Sequence, residues 1–172
     1  MELQKAIEIA EELRPGNQWR SEVVEQWLSE VDAEIQLEVC HKPIDKVIPL
    51  IPGKWEIGNK YGIGDRVAIR DDDRWKAYES RVDNNLSEPN TNQEWREVPI
   101  ETYVCSPHDK LYYLYIIAMM DFANEEYDKY ANDYAVYNAA LEEFAKWWQR
   151  RYRYNNKGEY DEYYISRNPK RD

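Results

Sequence analysis

The chain has 172 residues, a net charge of −11 and 33% charged residues. That length accommodates one domain with an inserted module and a sizeable core, while the acidic balance counts against a surface that grips duplex nucleic acid, because phosphate binding rests on Lys and Arg. No stretch approaches the ~20 apolar residues of a membrane span. The opening run MELQKAIEIAEEL lacks the basic region and hydrophobic stretch of a signal peptide, so the expected compartment is the cytoplasm or a particle assembled there. With 15 Tyr and 7 Trp against 2 Phe, buried area must come largely from amphipathic rings, which also favour interfaces where one end stays wet.

The first segment, residues 1–42, reads as two helices. Leu3, Ile7, Ala10 and Leu13 share one face, and Arg14-Pro15-Gly16-Asn17 stops that helix. Ser21 is the expected N-cap of the next, whose face is Val24, Trp27 or Leu28, Val31 and Ile35. Glu22 and Glu25 then lie in its first turn and complement the positive end of the helix dipole. The helix is expected to fade near His41-Lys42-Pro43.

From Pro43 to Val104 the texture changes: most of the Pro and Gly fall here, and short alternating runs replace the 3.6-residue period. Arg66–Arg70 and Trp75–Ser80 are strand-like and joined by the polar turn Asp71-Asp72-Asp73-Arg74, which predicts a β-hairpin. The segment 43–104 is expected to be a small autonomous insertion whose two ends lie close together.

Residues 105–154 carry the strongest periodic signal. Tyr113, Ile116, Met120, Ala123, Tyr127, Tyr130, Tyr134, Tyr137, Leu141, Phe144 and Trp148 follow one another in alternating steps of three and four, and no Gly or Pro falls between His108 and Lys157. With Ser106-Pro107 as cap and first-turn proline, this predicts one helix on the order of 65 Å at 1.5 Å per residue. Tyr127, Tyr134, Leu141 and Phe144 are expected to bury against the N-terminal helices. The remaining residues, 155–172, are expected to form an extended tail: Tyr160, Tyr163, Tyr164 and Ile165 lack a single helical phase, and Pro169 precludes a continuing helix. The fold class expected is mainly α, a helical bundle with one very long C-terminal helix and a small three-stranded antiparallel β insertion.

Two resemblances bear on function. The run RPGNQWRSEVVEQWLSEVDAEI, and the later run SPHDKLYYLYIIAMMDFANEEYDKYANDYAVYNAALEEFAKWW with its Pro107, Asp109, Leu111-Tyr112, Met120-Asp121, Asn132, Tyr137 and Asn138, resemble the two ends of a family of phage head–tail connector, or adaptor, proteins. The resemblance implies a structural virion protein of the neck, without catalytic residues or cofactor. It would form a homo-oligomeric ring, commonly of twelve copies, between the portal protein and a downstream tail or neck protein, with DNA passing through unbound and no membrane partner. On this reading Tyr160, Tyr163, Tyr164 and Ile165 dock on the portal or a neighbouring subunit. The middle segment departs from that family. Trp55, the run Tyr61-Gly62-Ile63-Gly64-Asp65-Arg66-Val67, Trp75-Lys76-Ala77, Glu88-Pro89 and Trp95 are similar to the small three-stranded chitin-binding type of module. That similarity implies that Trp55, Tyr61, Trp75 and Trp95 are the module's aromatic core or, alternatively, a glycan platform of a carbohydrate-binding protein. Sugar-binding versions tend to add an exposed aromatic pair after the second strand, where this chain has Ser80-Arg81-Val82-Asp83.

Other chemistry is weaker. Cys40-His41 and Cys105 with His108 bracket the insertion and supply zinc ligand types, but adjacent residues on a helix diverge by ~100°, which works against a shared metal. A Cys40–Cys105 disulfide is disfavoured in a reducing compartment, so two buried or half-buried thiols are expected and no metal. Asp71-Asp72-Asp73 lacks the alternating spacing and distal Glu of an EF-hand loop. Nucleophile elbows, phosphate-binding Gly-rich loops and His-Glu-x-x-His patterns do not occur, so no enzyme is expected. Glu125, Glu126, Asp128 and Asp133 read as a solvated helix face or a channel lining.

Overall fold

The computed structural model describes residues 1–16 and 19–152. Four α-helices and a three-stranded antiparallel sheet follow in the order α1 (Leu3–Leu13), α2 (Ser21–Glu34), β1 (Arg66–Asp71), β2 (Arg74–Ser80), β3 (Trp95–Val98), α3 (Lys110–Ala123) and α4 (Tyr127–Arg151). The helical chain with a small three-stranded β insertion is therefore the architecture.

Helix α3 is central, and α1, α2 and α4 all pack on it. Its sequence, KLYYLYIIAMMDFA, is apolar nearly all round, as a helix covered on several sides requires. Leu111, Ile116, Ile117 and Met120 meet Leu3, Ile7 and Ala10 of α1 and Val24, Leu28, Val31 and Ile35 of α2 in one core. Leu13, expected on that face, is 52% exposed. Ser21 opens α2 but makes no capping bond, and the N-cap position belongs to Arg20. The helix ends where expected, at His41 with φ +51°, but through a π turn over Ile35–Val39, with Cys40 N–H donating to Ile35 O at 3.0 Å.

The single helix expected from His108 onward is two helices. Helix α3 starts at Lys110, after the Ser106-Pro107 pair, and ends at Ala123. Glu126 N–H donates to Asp121 O at 2.9 Å and Glu125 N–H to Phe122 O at 3.0 Å, with Glu125 at φ +60°. These are the two bonds and the left-handed residue of a Schellman stop, with Glu where Gly is usual. The chain then reverses into the 25-residue α4, which lies along α3. The reason is burial. Tyr137, Phe144 and Trp148 are buried in the folded-back arrangement, each worth about 1.5–3 kcal/mol, against about 1–2 kcal/mol for a left-handed non-glycine residue. The 3-4 phase survives the turn because both arms present their stripes to the same core. Of the four side chains expected against the N-terminal helices, Phe144 is buried, Tyr134 and Leu141 are half-buried, and Tyr127 is 61% exposed.

The sheet order is β1-β2-β3, with Val67 opposite Tyr78, Ala68 opposite Ala77, and Ser80 opposite Trp95. The hairpin loop is Asp72-Asp73, with Asp72 at φ +51°. Alternation gives the sheet two different faces. Val67, Tyr78 and Trp95 face a small outer cluster closed by Trp55, Tyr61 and Ile69. Trp75, Ala77 and Val98 face the helical core instead. The insertion is thus fused to the main core through its inner face, which the expectation of an autonomous module did not foresee. Its ends do meet: Lys42 Nζ lies 3.9 Å from the centroid of the Tyr103 ring.

Replacing Glu125 with Gly removes the left-handed strain, less the entropy gained by the unfolded chain. The expected result is a stabilisation of about 0.5–1 kcal/mol and a melting temperature higher by roughly 1–4 °C. A straight continuous helix at this position would instead lose stability on the same change, and thermal denaturation of the variant separates the two.

Candidate functional site

The residues that join the layers are polar and were largely hidden in the helical patterns. Asp32 is 1% exposed. Its Oδ1 accepts from Tyr112 OH at 2.6 Å and from Tyr103 N–H at 2.8 Å, and its Oδ2 accepts from Gln36 Nε2 at 2.9 Å. Tyr112 OH in turn accepts from Val104 N–H at 2.9 Å. Gln36 donates also to Ile48 O at 2.8 Å, and its Oε1 accepts from Ile48 N–H at 2.9 Å and Lys42 Nζ at 3.0 Å. One knot therefore ties α2 and α3 to the segment entering the insertion at Ile48 and the segment leaving it at Tyr103-Val104. Burial raises the Asp32 carboxyl from its ordinary value against the pull of its donors. The same burial lowers Lys42.

Two arginines also pair with carboxylates across elements. Arg70 on β1 reaches Glu25 on α2 at 3.0 Å and Glu22 at 3.6 Å. Glu25 is buried and is a partner of the sheet rather than the first-turn charge expected, since only Glu22 lies in the first turn of α2; desolvation raises its carboxyl. Arg14, just past α1, bonds Asp121 of α3 at 3.2 and 3.3 Å and also Asp133 of α4. Asp133 is consequently not a solvated or channel-lining charge. Burial raises its carboxyl, helped by the bond shared with Asp121 and opposed by Arg14. The signal was present in the sequence: Asp121 is the sole acid in an apolar α3, and Asp32 and Gln36 share the buried arc with Leu28 and Ile35. A charge on a core arc implies a buried partner.

The four aromatic positions singled out in the β module do not form one platform. Trp55, Tyr61 and Trp95 share the outer cluster, with Tyr61 and Trp95 edge to face at 5.5 Å, while Trp75 lies on the opposite face of the sheet. Trp95 is 5% exposed and donates to Ser87 O at 2.9 Å, so its face is not open to a ligand. Gly64, at φ +89°, makes the turn into β1, and Asp65 accepts from Gly62 N–H at 2.7 Å. Cys40 is buried, with its thiol pushed up to about 12 mainly by desolvation, whereas Cys105 is exposed rather than buried or half-buried. His108 packs against Trp147 at 5.1 Å and Phe144 at 5.6 Å, an aromatic setting. Among the described residues no group of three or more His, Cys, Asp or Glu is arranged to hold a metal, and no helix is long and apolar enough to cross a membrane. A cleft of about 700 Å³ at the α1–α2 turn is lined by Trp19, Arg20, Glu22, Arg70 and Asp73. Its Arg70 is already held by the two glutamates of α2. Tyr160, Tyr163, Tyr164 and Ile165 lie outside the described residues.

The surface feature that stands out is a ladder of rings on the α3–α4 hairpin. It runs from half-buried Tyr115 and buried Tyr137 to an exposed tip: Tyr115 to Tyr137 at 5.2 Å, Tyr137 to Tyr134 at 5.6 Å, Tyr134 to Tyr130 at 5.2 Å, Tyr130 to Phe122 at 5.2 Å and Phe122 to Tyr127 at 6.2 Å. Phe122 is 47% and Tyr127 61% exposed at the tip. Glu34 acts on the phenols of Tyr115, Tyr134 and Tyr137, and Glu30 on Tyr115, so the exposed end of α2 supplies an acidic rim. Burial comes first among the causes that push Tyr115 up to about 12. No known protein family, curated protein or solved structure matches this chain.

Asp32→Asn puts an NH₂ against the Gln36 amide, whose own oxygen is committed to Ile48 and Lys42. The expected loss is about 1–3 kcal/mol, the scale of a buried donor left unsatisfied. The pH dependence has a definite sign. A carboxyl raised on folding contributes most below its unfolded pKa and loses that contribution as pH rises through its folded pKa. The stability gap between the native chain and Asp32→Asn should therefore widen on acidification from neutral pH. Denaturant titrations at several pH values check it; a gap that narrows would reverse the assignment.

Proposed function

We propose that this chain is a structural virion protein, a mainly α head–tail adaptor subunit that packs into a ring on a portal and joins capsid to tail. The observation that supports it most is the tyrosine ladder ending in exposed Phe122 and Tyr127. Large amphipathic rings left half in water at the tip of a helical hairpin suit a subunit contact. The resemblance of both ends of the sequence to phage connectors supplies the kind of assembly.

The mechanism is mechanical. Helical hairpins pack side by side, with the ladder tip of one subunit against the next in a head-to-tail contact, the geometry that closes rings. The segment with Tyr160, Tyr163, Tyr164 and Ile165 docks on the portal or a neighbouring subunit. A strand edge there gives backbone bonds, and the tyrosines select the pockets. Twelve copies is the number the resemblance implies. Net charge of −11 disfavours adhesion of passing DNA.

The test is sedimentation and electron microscopy of the chain mixed with the portal protein of its own genome. A ring bound to the portal is expected. The double variant Phe122→Ser and Tyr127→Ser should keep its helical spectrum and lose the ring. A chain that stays monomeric beside its portal, or a ring indifferent to both substitutions, contradicts the proposal.

A further inference from the structure

Helix α3 is covered by α1, α2 and α4, yet its sequence asks for cover on every side. From Leu111 to Ala123 its only charge is Asp121, and a helix apolar all round is normally enclosed all round. Tyr112 turns to α2 through its bond to Asp32, and Asp121 turns to α1 and α4 through Arg14, which also holds Asp133. The side left over is Tyr115, Met119 and Phe122, at i, i+4 and i+7 and within about 60° of one another round the axis. Tyr115 and Met119 are half-buried and Phe122 is exposed.

This side floors a groove between α2 and α4. Along one wall Tyr130 and Tyr134 of α4 are half-buried, in ring contact with Phe122 and Tyr137. Along the other, Glu30 and Glu34 of α2 are exposed, and both act on the phenol of Tyr115. Phe122 stands at the mouth, beside the tip that the ring contact engages. No Lys or Arg occurs in residues 21–39, 111–128 or 130–145. Lys129, between the last two, is held by Glu126 at 2.7 Å, and Arg14 is committed to Asp121 and Asp133. Glu30 accepts from Gln26, a neutral amide, at 2.8 Å. The groove thus combines an apolar floor with an acidic rim that no cation of its own walls offsets.

A second copy does not match it. Helices α1, α2 and α4 spend their apolar faces on α3 within the chain, so among the described residues no helix has a free stripe to offer. Two grooves face to face would set Glu30 and Glu34 of both copies against each other, which is repulsive.

We propose that the groove takes an amphipathic helix of a different protein, apolar where it meets Tyr115 and Met119 and carrying Lys or Arg along the edge that meets Glu30 and Glu34. Such helix-in-groove recognition uses apolar anchors at i, i+3 or i+4 and i+7. Met119 is a soft, adaptable contact for them, and an Arg can stack on the tyrosines as well as pair with the carboxylates. The inference goes beyond the ring reading and stands without it, since the single chain suffices to test it.

The test is an NMR titration of the full isotope-labelled chain with a pair of designed helical peptides of about 16 residues. Both carry one Leu stripe at i, i+4, i+7 and i+11, flanked by Lys in one peptide and by Glu in the other. The Lys peptide should shift the amides of Tyr115, Met119, Tyr130 and Tyr134 and saturate below about 1 mM. The Glu peptide should bind about five-fold more weakly or worse, the scale of a few exposed charge pairs. Glu30→Lys with Glu34→Lys, both at exposed positions, should exchange the two preferences. Met119→Ser should weaken both peptides about five-fold or more with the helical spectrum unchanged. Shifts confined to other surfaces, equal binding of the two peptides, a preference that ignores the rim reversal, or no saturation by about 1 mM overturns the proposal. So does movement of the same amides when the chain alone is concentrated, which places a second copy in the groove.

Discussion

Asp32 ties together segments from α2, α3 and both ends of the insertion. Its two oxygens take a phenol from α3, a backbone N–H from the segment leaving the insertion and the amide of Gln36, which itself clasps Ile48 on the way in. Such a buried carboxylate is a weak source of net stability, because desolvation opposes it, yet it is a strong source of specificity. Any other seating of the insertion leaves the charge without donors in a low-dielectric interior. Arg70 with Glu25, and Arg14 with Asp121 and Asp133, repeat the device at the sheet–helix and helix–helix seams. The apolar stripes decide that the layers pack, and the polar ties decide where.

This division explains what was legible. Helix positions in α1 and α2, the hairpin over Arg66–Ser80 and the Tyr61–Val67 turn follow from periodicity and turn residues, which act locally. The break at Asn124-Glu125-Glu126 does not, because Glu is a good helix former and the 3-4 phase continues through it. Only the energy of burying Phe144 and Trp148 against α3 selects the reversal, and that is a tertiary term. The π turn after α2 and the two-sided use of the sheet are hidden for the same reason. Trp75 reads as one more ring of the module's core, yet alternation along β2 turns it toward the helices. The candidate surface was half legible: the tyrosines were evident as a stripe, but a stripe does not say which of its members stay wet.

Function follows from that last point. In the proposed reading, the α3–α4 hairpin, with Tyr137 buried and Phe122 and Tyr127 exposed, is an arm whose tip makes the subunit contact, and Arg14 clamps it to the end of α1 close to that tip. The β module contributes shape more than chemistry, since Trp95 is enclosed and Trp75 is engaged with the helices. An acidic, aromatic-tipped subunit fits an assembly built by repetition better than a ligand-binding cleft, and the proposed connector ring is an assembly of that kind.

The account stands on helices and sheet being one cooperative unit tied at Asp32, and native-state hydrogen exchange measures that directly. The amides of Tyr103, Val104 and Ile48, which donate into the knot, should exchange with the same opening free energy as the core amides of α2 and α3. If these amides and the β1–β2 ladder open together at distinctly lower free energy while the helices remain protected, the insertion is a separate unit and the account is contradicted.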